Sequence, residues 1–252
     1  MGMGRIVVVG FSGGVTSAWC AGWAKRKYPQ KEIRLLFTDT QEEDEDTYRF
    51  LHEMAAALEM PIIDRSDGRD IAELARDEGA VPNDRMPFCS RILKQEPANK
   101  YIVELQQQGA TEIIRVMGFS ANEPNRIQRH VALCWQQTSF FCDVSVRFPL
   151  VEEKVTKQEC WDWCNCTMGV APARMYEWSE HANCPGCFRG KKAYWQAVGI
   201  HRPDIYQKRS DLEKEMGFTI LSNLSLEDLA KEEVRPMRMK ESIEIGSCEC
   251  GS

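Results

Sequence analysis

Two hydrophobic periods alternate along the first 150 residues. Short apolar, β-branched runs at residues 6–9, 33–37, 61–64, 111–119 and 143–150 read as strands. The first, Ile6-Val7-Val8-Val9, has no polar side and predicts a strand buried on both faces of a parallel sheet. Between the runs, apolar residues recur at helical spacing, first Val15, Ala18, Trp19 and Trp23, then Phe50, Leu51, Met54 and Leu58. Ile71–Glu78 predicts a short helix that Gly79 ends, and residues 81–88, with Pro82, Asn83 and Pro87, an irregular loop. A further helix follows Cys89 through Leu93, Lys94 and Tyr101, with Pro97 kinking it or marking its start.

Strands alternating with helices predict a doubly wound, mainly parallel five-stranded sheet over residues 1–150. Beyond residue 150 the pattern changes. Trp161, Trp163, Trp178 and Trp195 fall in a cysteine-rich segment read as helical, and no strong strand follows. Residues 151–252 are therefore read as a helical, cysteine-rich C-terminal appendage. Its charged end, after Leu221, is expected to be mobile.

Composition narrows the chemistry. A hydrophobic fraction of 43% supports a real core, and a net charge of −6 advertises neither a nucleic-acid surface nor a membrane patch. No apolar run reaches the length of a membrane span and no signal-peptide core is visible, so a cytoplasmic location is expected. Eleven cysteines, an odd number without a secretion signal, argue against a disulfide framework and toward metal or redox chemistry. Cys20, on the first helix, reads as a plain core residue. The four histidines are scattered, and only His181 lies near the cysteines.

The strongest local signal is Gly10-Phe11-Ser12-Gly13-Gly14 between the first strand and the first helix. Glycines there permit positive φ and close backbone approach, and a helix N-terminus offers its amides to an anion. Ser12, Thr16 and Ser17 add hydroxyls. No lysine follows the glycines, so this is not a Walker A loop. Asp39 ends the second strand, at the sheet edge where ligands of open α/β sheets bind. The acidic run 42–46 reads mostly as a complement to the dipole of the helix it precedes. Cys184-x-x-Cys187 has the spacing that brings two thiolates to one metal, with zinc, an iron–sulfur cluster, a redox pair or buried thiols all open on spacing alone.

Ser12-Gly13-Gly14-Val15-Thr16-Ser17 resembles the PP-loop, SGGxDS, of the adenine-nucleotide α-hydrolase-like superfamily, which includes ATP pyrophosphatases and the PAPS reductase family. Thr16 stands where the pyrophosphatases carry aspartate, which removes a Mg²⁺ contact and weighs against their chemistry. The resemblance extends through Phe88-Cys89-Ser90-Arg91 with Lys94, Glu96 and Pro97, and through the segment from Gly118 to Arg126. It continues in Phe148-Pro149-Leu150 with Thr156 and Trp161, and in Asn183-Cys184-Pro185-Gly186-Cys187. It implies an adenine-nucleotide site at Ser12, Gly13, Gly14, Thr16 and Ser17, with Gly118 and, at the substrate's anionic end, Arg126; Asp39 joins it from its place at the sheet edge.

Because the resemblance sets Cys89 opposite the Cys-x-x-Cys, it also implies a metal centre on Cys89, Cys184 and Cys187. Several superfamily members hold a [4Fe–4S] cluster this way, with the fourth ligand open and Cys160, Cys164 and Cys166 near in sequence. Glu249-Cys250-Gly251 resembles the tail of sulfonucleotide reductases, which makes Cys250 the nucleophile. The implied activity is reduction of an adenylyl sulfate with a thioredoxin-type donor. Two alternatives stand beside it. One is an ATP pyrophosphatase, with Mg²⁺, that activates an acceptor such as a nucleic-acid base for sulfur insertion. The other is a non-catalytic nucleotide- or cluster-binding subunit.

Overall fold

The computed structural model describes residues 4–83, 86–182 and 184–235. Its centre is β1 (Arg5–Gly10), in a parallel sheet of order β3-β2-β1-β4-β5 with β2 (Glu32–Asp39), β3 (Ile62–Ser66), β4 (Glu112–Val116) and β5 (Asp143–Arg147). The connecting helices are α1 (Val15–Lys27), α2 (Glu45–Ala57), α3 (Ile71–Glu78), α4 (Glu96–Gln107) and α5 (Pro124–Gln137). Successive β1 side chains leave opposite faces, and both faces are covered. Val7 and Val9 pack with Leu35, Phe37 and residues of α1 and α2, whereas Ile6 and Val8 pack with Leu36, Ile113 and residues of α4 and α5. The doubly wound α/β fold is the one its periodicity predicts.

Boundaries move where proline and glycine intervene. β4 ends at Val116 rather than at 119, and β5 ends at Arg147 rather than at 150. Pro149 has no N–H for a ladder and instead opens the short helix α6 (Pro149–Glu152). Ahead of α4, Ser90–Gln95 form a π-helical turn in which the Glu96 N–H reaches back to Arg91 O. Pro97 then sits in the first turn of α4 and marks its start. The sequence pattern did not reveal α5, of which only Cys134 is fully buried, so its apolar stripe is weak.

The C-terminal part contributes α7 (Lys157–Asp162), a π-helical turn Trp163–Thr167, a 3-10 turn Arg174–Glu177, α8 (Lys192–His201), α9 (Pro203–Met216) and α10 (Leu226–Leu229). Packing crosses residue 150 in both directions. Cys160, Trp161, Cys164 and Tyr176 belong to the core around α1, while Ile71, Leu74, Ile92 and Leu93 pack with α8, α9 and α10. The expected mobility after Leu221 is corrected as far as Arg235. Leu226 and Leu229 are buried, and the buried Glu213 carboxylate accepts the N–H groups of Ile220 (2.6 Å) and Leu226 (2.7 Å).

The acidic run 42–46 is more than a dipole complement. Asp44 does cap α2, accepting the Asp46 N–H at 3.0 Å. Its neighbours, however, grip cations from four other segments. Glu42 pairs with Arg209 of α9, Glu43 with Lys94 at 2.9 Å, Asp44 with Arg202, and Asp46 accepts the Arg174 N–H at 2.7 Å. Arg209 is 1% exposed, so removing it strands Glu42 beside a cavity. Arg209→Ala should lower unfolding free energy by roughly 3 kcal/mol or more in urea titrations. Lys208→Ala, one residue away and exposed, should change it by no more than about 0.5 kcal/mol.

Candidate functional site

The strand order reverses at β1, whose neighbours β2 and β4 lead to opposite edges of the sheet. Such a switch point opens a crevice at the carboxyl ends of the two central strands. Residues 12–17 fill the β1 side of it. Gly13 has φ +73°, and a Cβ there would meet Thr47 Cγ2 at 2.5 Å, so only glycine fits. Gly14 is the N-cap of α1 and supplies no side-chain cap. Ser17 Oγ accepts the Ser12 N–H (3.2 Å) and donates to Gly14 O (2.8 Å), which braces the loop from within.

From the β4 side, Gly118 lies against this loop. Its Cβ would stand 3.1 Å from both Ser17 N and the Thr16 carbonyl carbon. The structure thus brings Ser12, Gly13, Gly14, Thr16, Ser17 and Gly118 together, with Ser12 exposed and Thr16 half-buried. Backbone amides at a helix start, two accessible hydroxyls and no carboxylate in the loop suit an anion such as a phosphoryl group.

The other expected residues fare differently. Asp39 is at the carboxyl end of β2, where its Oδ1 accepts the Tyr48 hydroxyl (2.6 Å) and the Gln41 N–H (2.7 Å), a local structural role. Arg126 lies in the first turn of α5, paired with Glu123 and 4.1 Å above the Phe119 ring. Tyr176 and Lys157 escaped the sequence reading, which noted His181 only for its nearness to the cysteines. Tyr176 is buried with its hydroxyl 3.2 Å from the Val15 N–H, Lys157 Nζ lies 5.2 Å over the Tyr176 ring, and His181 feels both Lys157 and Arg126. Burial, then the Lys157 charge, holds His181 below its ordinary range. All three lie between Thr156 and Cys184, and Lys157 falls within the Thr156–Trp161 segment to which the family resemblance extends.

The thiols form a second neighbourhood. Cys184 is buried, with Sγ 3.4 Å from Thr40 Oγ1 and 3.6 Å from Glu43 Oε1, the oxygen that also takes Lys94 Nζ. Burial and then the Glu43 charge push the Cys184 thiol up to about 12. Cys187 acts electrostatically on both Cys89 and Cys184, and burial raises Cys89 as well. Glu43 Oε2 is buried with no hydrogen-bond partner among the described residues. Among the described residues no group of His, Cys, Asp or Glu side chains converges tightly enough to hold one metal ion. By residue type alone, the buried Cys184 and the partly buried Cys89 and Cys187, beside Lys94, are the thiol donors that a thiolate-bound cluster uses. Cys20, Cys160 and Cys164 are elsewhere, buried in the core around α1. Cys250 lies outside the described residues.

The family model of the phosphoadenosine phosphosulfate reductase domain, a family of the PP-loop superfamily, matches residues 6–177. Among solved structures the chain is similar to phosphoadenylyl-sulfate (PAPS) reductase from Candida auris in its phosphate complex. That similarity is 21% identity, a TM-score of 0.31, and coverage of 46% of this chain and 54% of that chain. The chain therefore spans about half the length of that relative. No curated protein matches it. No helix of the described residues is long and apolar enough to cross a membrane.

Two predictions follow from the charges. His130 packs edge-on against Phe119 at 4.8 Å, and burial lowers it from 6.5 to about 4. The unfolded chain takes up that proton near pH 6.5 and the folded protein only near pH 4. This group therefore costs nothing above pH 6.5, and stability falls as pH drops from 6.5 to 4, by up to roughly 1.4 kcal/mol per pH unit. Urea midpoints measured across that window should flatten in His130→Gln. At the second neighbourhood, Glu43→Gln removes the charge that raises Cys184 while leaving Lys94 in place. Alkylation of Cys184 at pH 8, followed by peptide mass spectrometry, should be faster in the variant than in the wild type.

Proposed function

The chain belongs to the phosphoadenosine phosphosulfate reductase domain family, and from that premise we propose that it reduces an adenylyl sulfate nucleotide. The observation that carries this reading is the contact of Gly118 with the 12–17 loop at the β1/β4 switch point. There the nucleotide phosphate meets the amides at the start of α1, with Ser12, Thr16 and Ser17 as hydroxyl donors. Arg126, Lys157 and His181 surround the anionic end. Thr16 in place of an acidic residue leaves the loop without a carboxylate, which favours sulfur chemistry over ATP cleavage.

Cys250 is the nucleophile in this proposal. Its thiolate attacks the sulfur of the phosphosulfate, forming an S–S bond as the S–O bond to the phosphate breaks, and the electron pair leaves with the nucleotide monophosphate. A dithiol donor of the thioredoxin type then attacks Cys250 Sγ and expels sulfite. The donor is left in a mixed disulfide that its second thiol resolves, so the donor is oxidised as the sulfonyl sulfur is reduced to sulfite.

Cys89, Cys184 and Cys187 are the residues that would hold a [4Fe–4S] cluster, with Lys94 offsetting negative charge. Such a cluster, when bound, supplies redox and charge-stabilising chemistry.

The test is incubation of the full chain with adenosine 5′-phosphosulfate and with its 3′-phosphorylated form, read by intact mass spectrometry. The expected product is a thiosulfonate adduct on wild-type protein that disappears in Cys250→Ser and releases sulfite when a dithiol is added. Absence of the adduct with both nucleotides would contradict the reductase reading.

A further inference from the structure

Tyr176 reaches the 12–17 loop from the other end of the chain, on the 3-10 turn Arg174–Glu177. Its ring is fixed by Trp161, edge-on at 5.5 Å, and by Lys157 above its face. Its hydroxyl lies beside Gly14, on the side where Ser12 also stands. A Cβ built on Gly14 would be 3.2 Å from Tyr176 Oη and 3.8 Å from Ser12 Oγ.

The bookkeeping of that hydroxyl is incomplete. A phenol offers two lone pairs and one proton. The Val15 N–H donates to it at 3.2 Å, and the Ala182 N–H also faces it, so backbone amides occupy its acceptor side. Among the described residues the hydroxyl accepts these bonds and donates none. Tyr176 is only 6% exposed, so water does not readily take the proton. A buried donor without an acceptor is costly, and an anion in the loop removes the cost. Burial also holds the phenol well above its ordinary range, so it carries its proton throughout the physiological range.

We propose that Tyr176 donates its phenolic proton in a hydrogen bond to a phosphoryl oxygen of the nucleotide seated at residues 12–17. The C-terminal part of the chain thereby completes the anion site that the strand–loop–helix unit begins. The bond is charge-assisted, short in reach and specific for an oxyanion, so it discriminates a nucleotide from a nucleoside. This inference rests on the phosphate reading of the loop.

The experiment is calorimetric titration of full-length wild type and Tyr176→Phe with AMP, and with adenosine as the phosphate-free control. AMP should bind the variant roughly 10- to 100-fold more weakly, with adenosine binding unchanged. Equal AMP affinity in the two proteins overturns the proposal, and so does an equal loss for AMP and adenosine, the mark of a merely structural role. Gly13→Val separates the two levels. If it abolishes AMP binding while Tyr176→Phe does not, the loop reading stands and the tyrosine proposal fails. A wild type that binds no AMP removes both. Should Tyr176→Phe not fold, wild-type protein labelled with ¹³Cζ-tyrosine serves instead. The Tyr176 resonance should move on addition of AMP and stay fixed on addition of adenosine, and a resonance unmoved by AMP overturns the proposal.

Discussion

The arrangement depends on the ion pairs made by residues 42–46. Burying a carboxylate costs several kcal/mol unless a cation and further hydrogen bonds compensate, and here Glu42, Glu43, Asp44 and Asp46 find cations outside α2. Arg209 and Arg202 come from the C-terminal helices, Lys94 from the π-helical turn, and Arg174 from the turn that carries Tyr176. The cation–π contact of Arg209 with Phe188 at 4.9 Å ties the stretch after the Cys-x-x-Cys to the same anchor. These pairs add to the apolar packing that holds Cys184 and Tyr176 where they stand.

The same short segment links the two chemical neighbourhoods. Thr40 and Glu43 touch Cys184, and four residues on, one turn into α2, the Thr47 methyl closes on Gly13. A shift of the start of α2 would move both at once. The glycines show how tight that coupling is. Gly13 has no room for a side chain on its α2 side, and Gly118 has none on its α1 side, so the loop is clamped between packed backbones. A rigid cradle of this kind keeps its amides aligned before an anion arrives, which lowers the ordering cost of binding.

Much of this was legible in the sequence, and the reasons are physical. An all-apolar run such as Ile6–Val9 has few stable homes outside a covered parallel strand, and Gly79 ended α3 at φ +62° as a left-handed cap should. The loop at Ser12 was visible because phosphate chemistry demands glycine and hydroxyls at neighbouring positions. What stayed hidden depended on contacts between distant residues. The run 42–46 reads as a solvated helix start until Arg202 and Arg209 are placed beside it. Tyr176 is one aromatic among many until its hydroxyl is seen 161 residues away at Val15. Helix α5 was missed because almost every residue on it meets solvent, and the buried leucines of α10 were hidden by the charges around them.

The most direct measurement is a crystal structure of the protein with adenosine 5′-phosphosulfate bound. The predicted result is phosphosulfate density against the backbone of residues 12–17, beside Gly118, with the adenosine along the carboxyl ends of the central strands. Nucleotide bound at any other face of the molecule, with the 12–17 loop empty, would contradict the assignment of the β1/β4 crevice as the site.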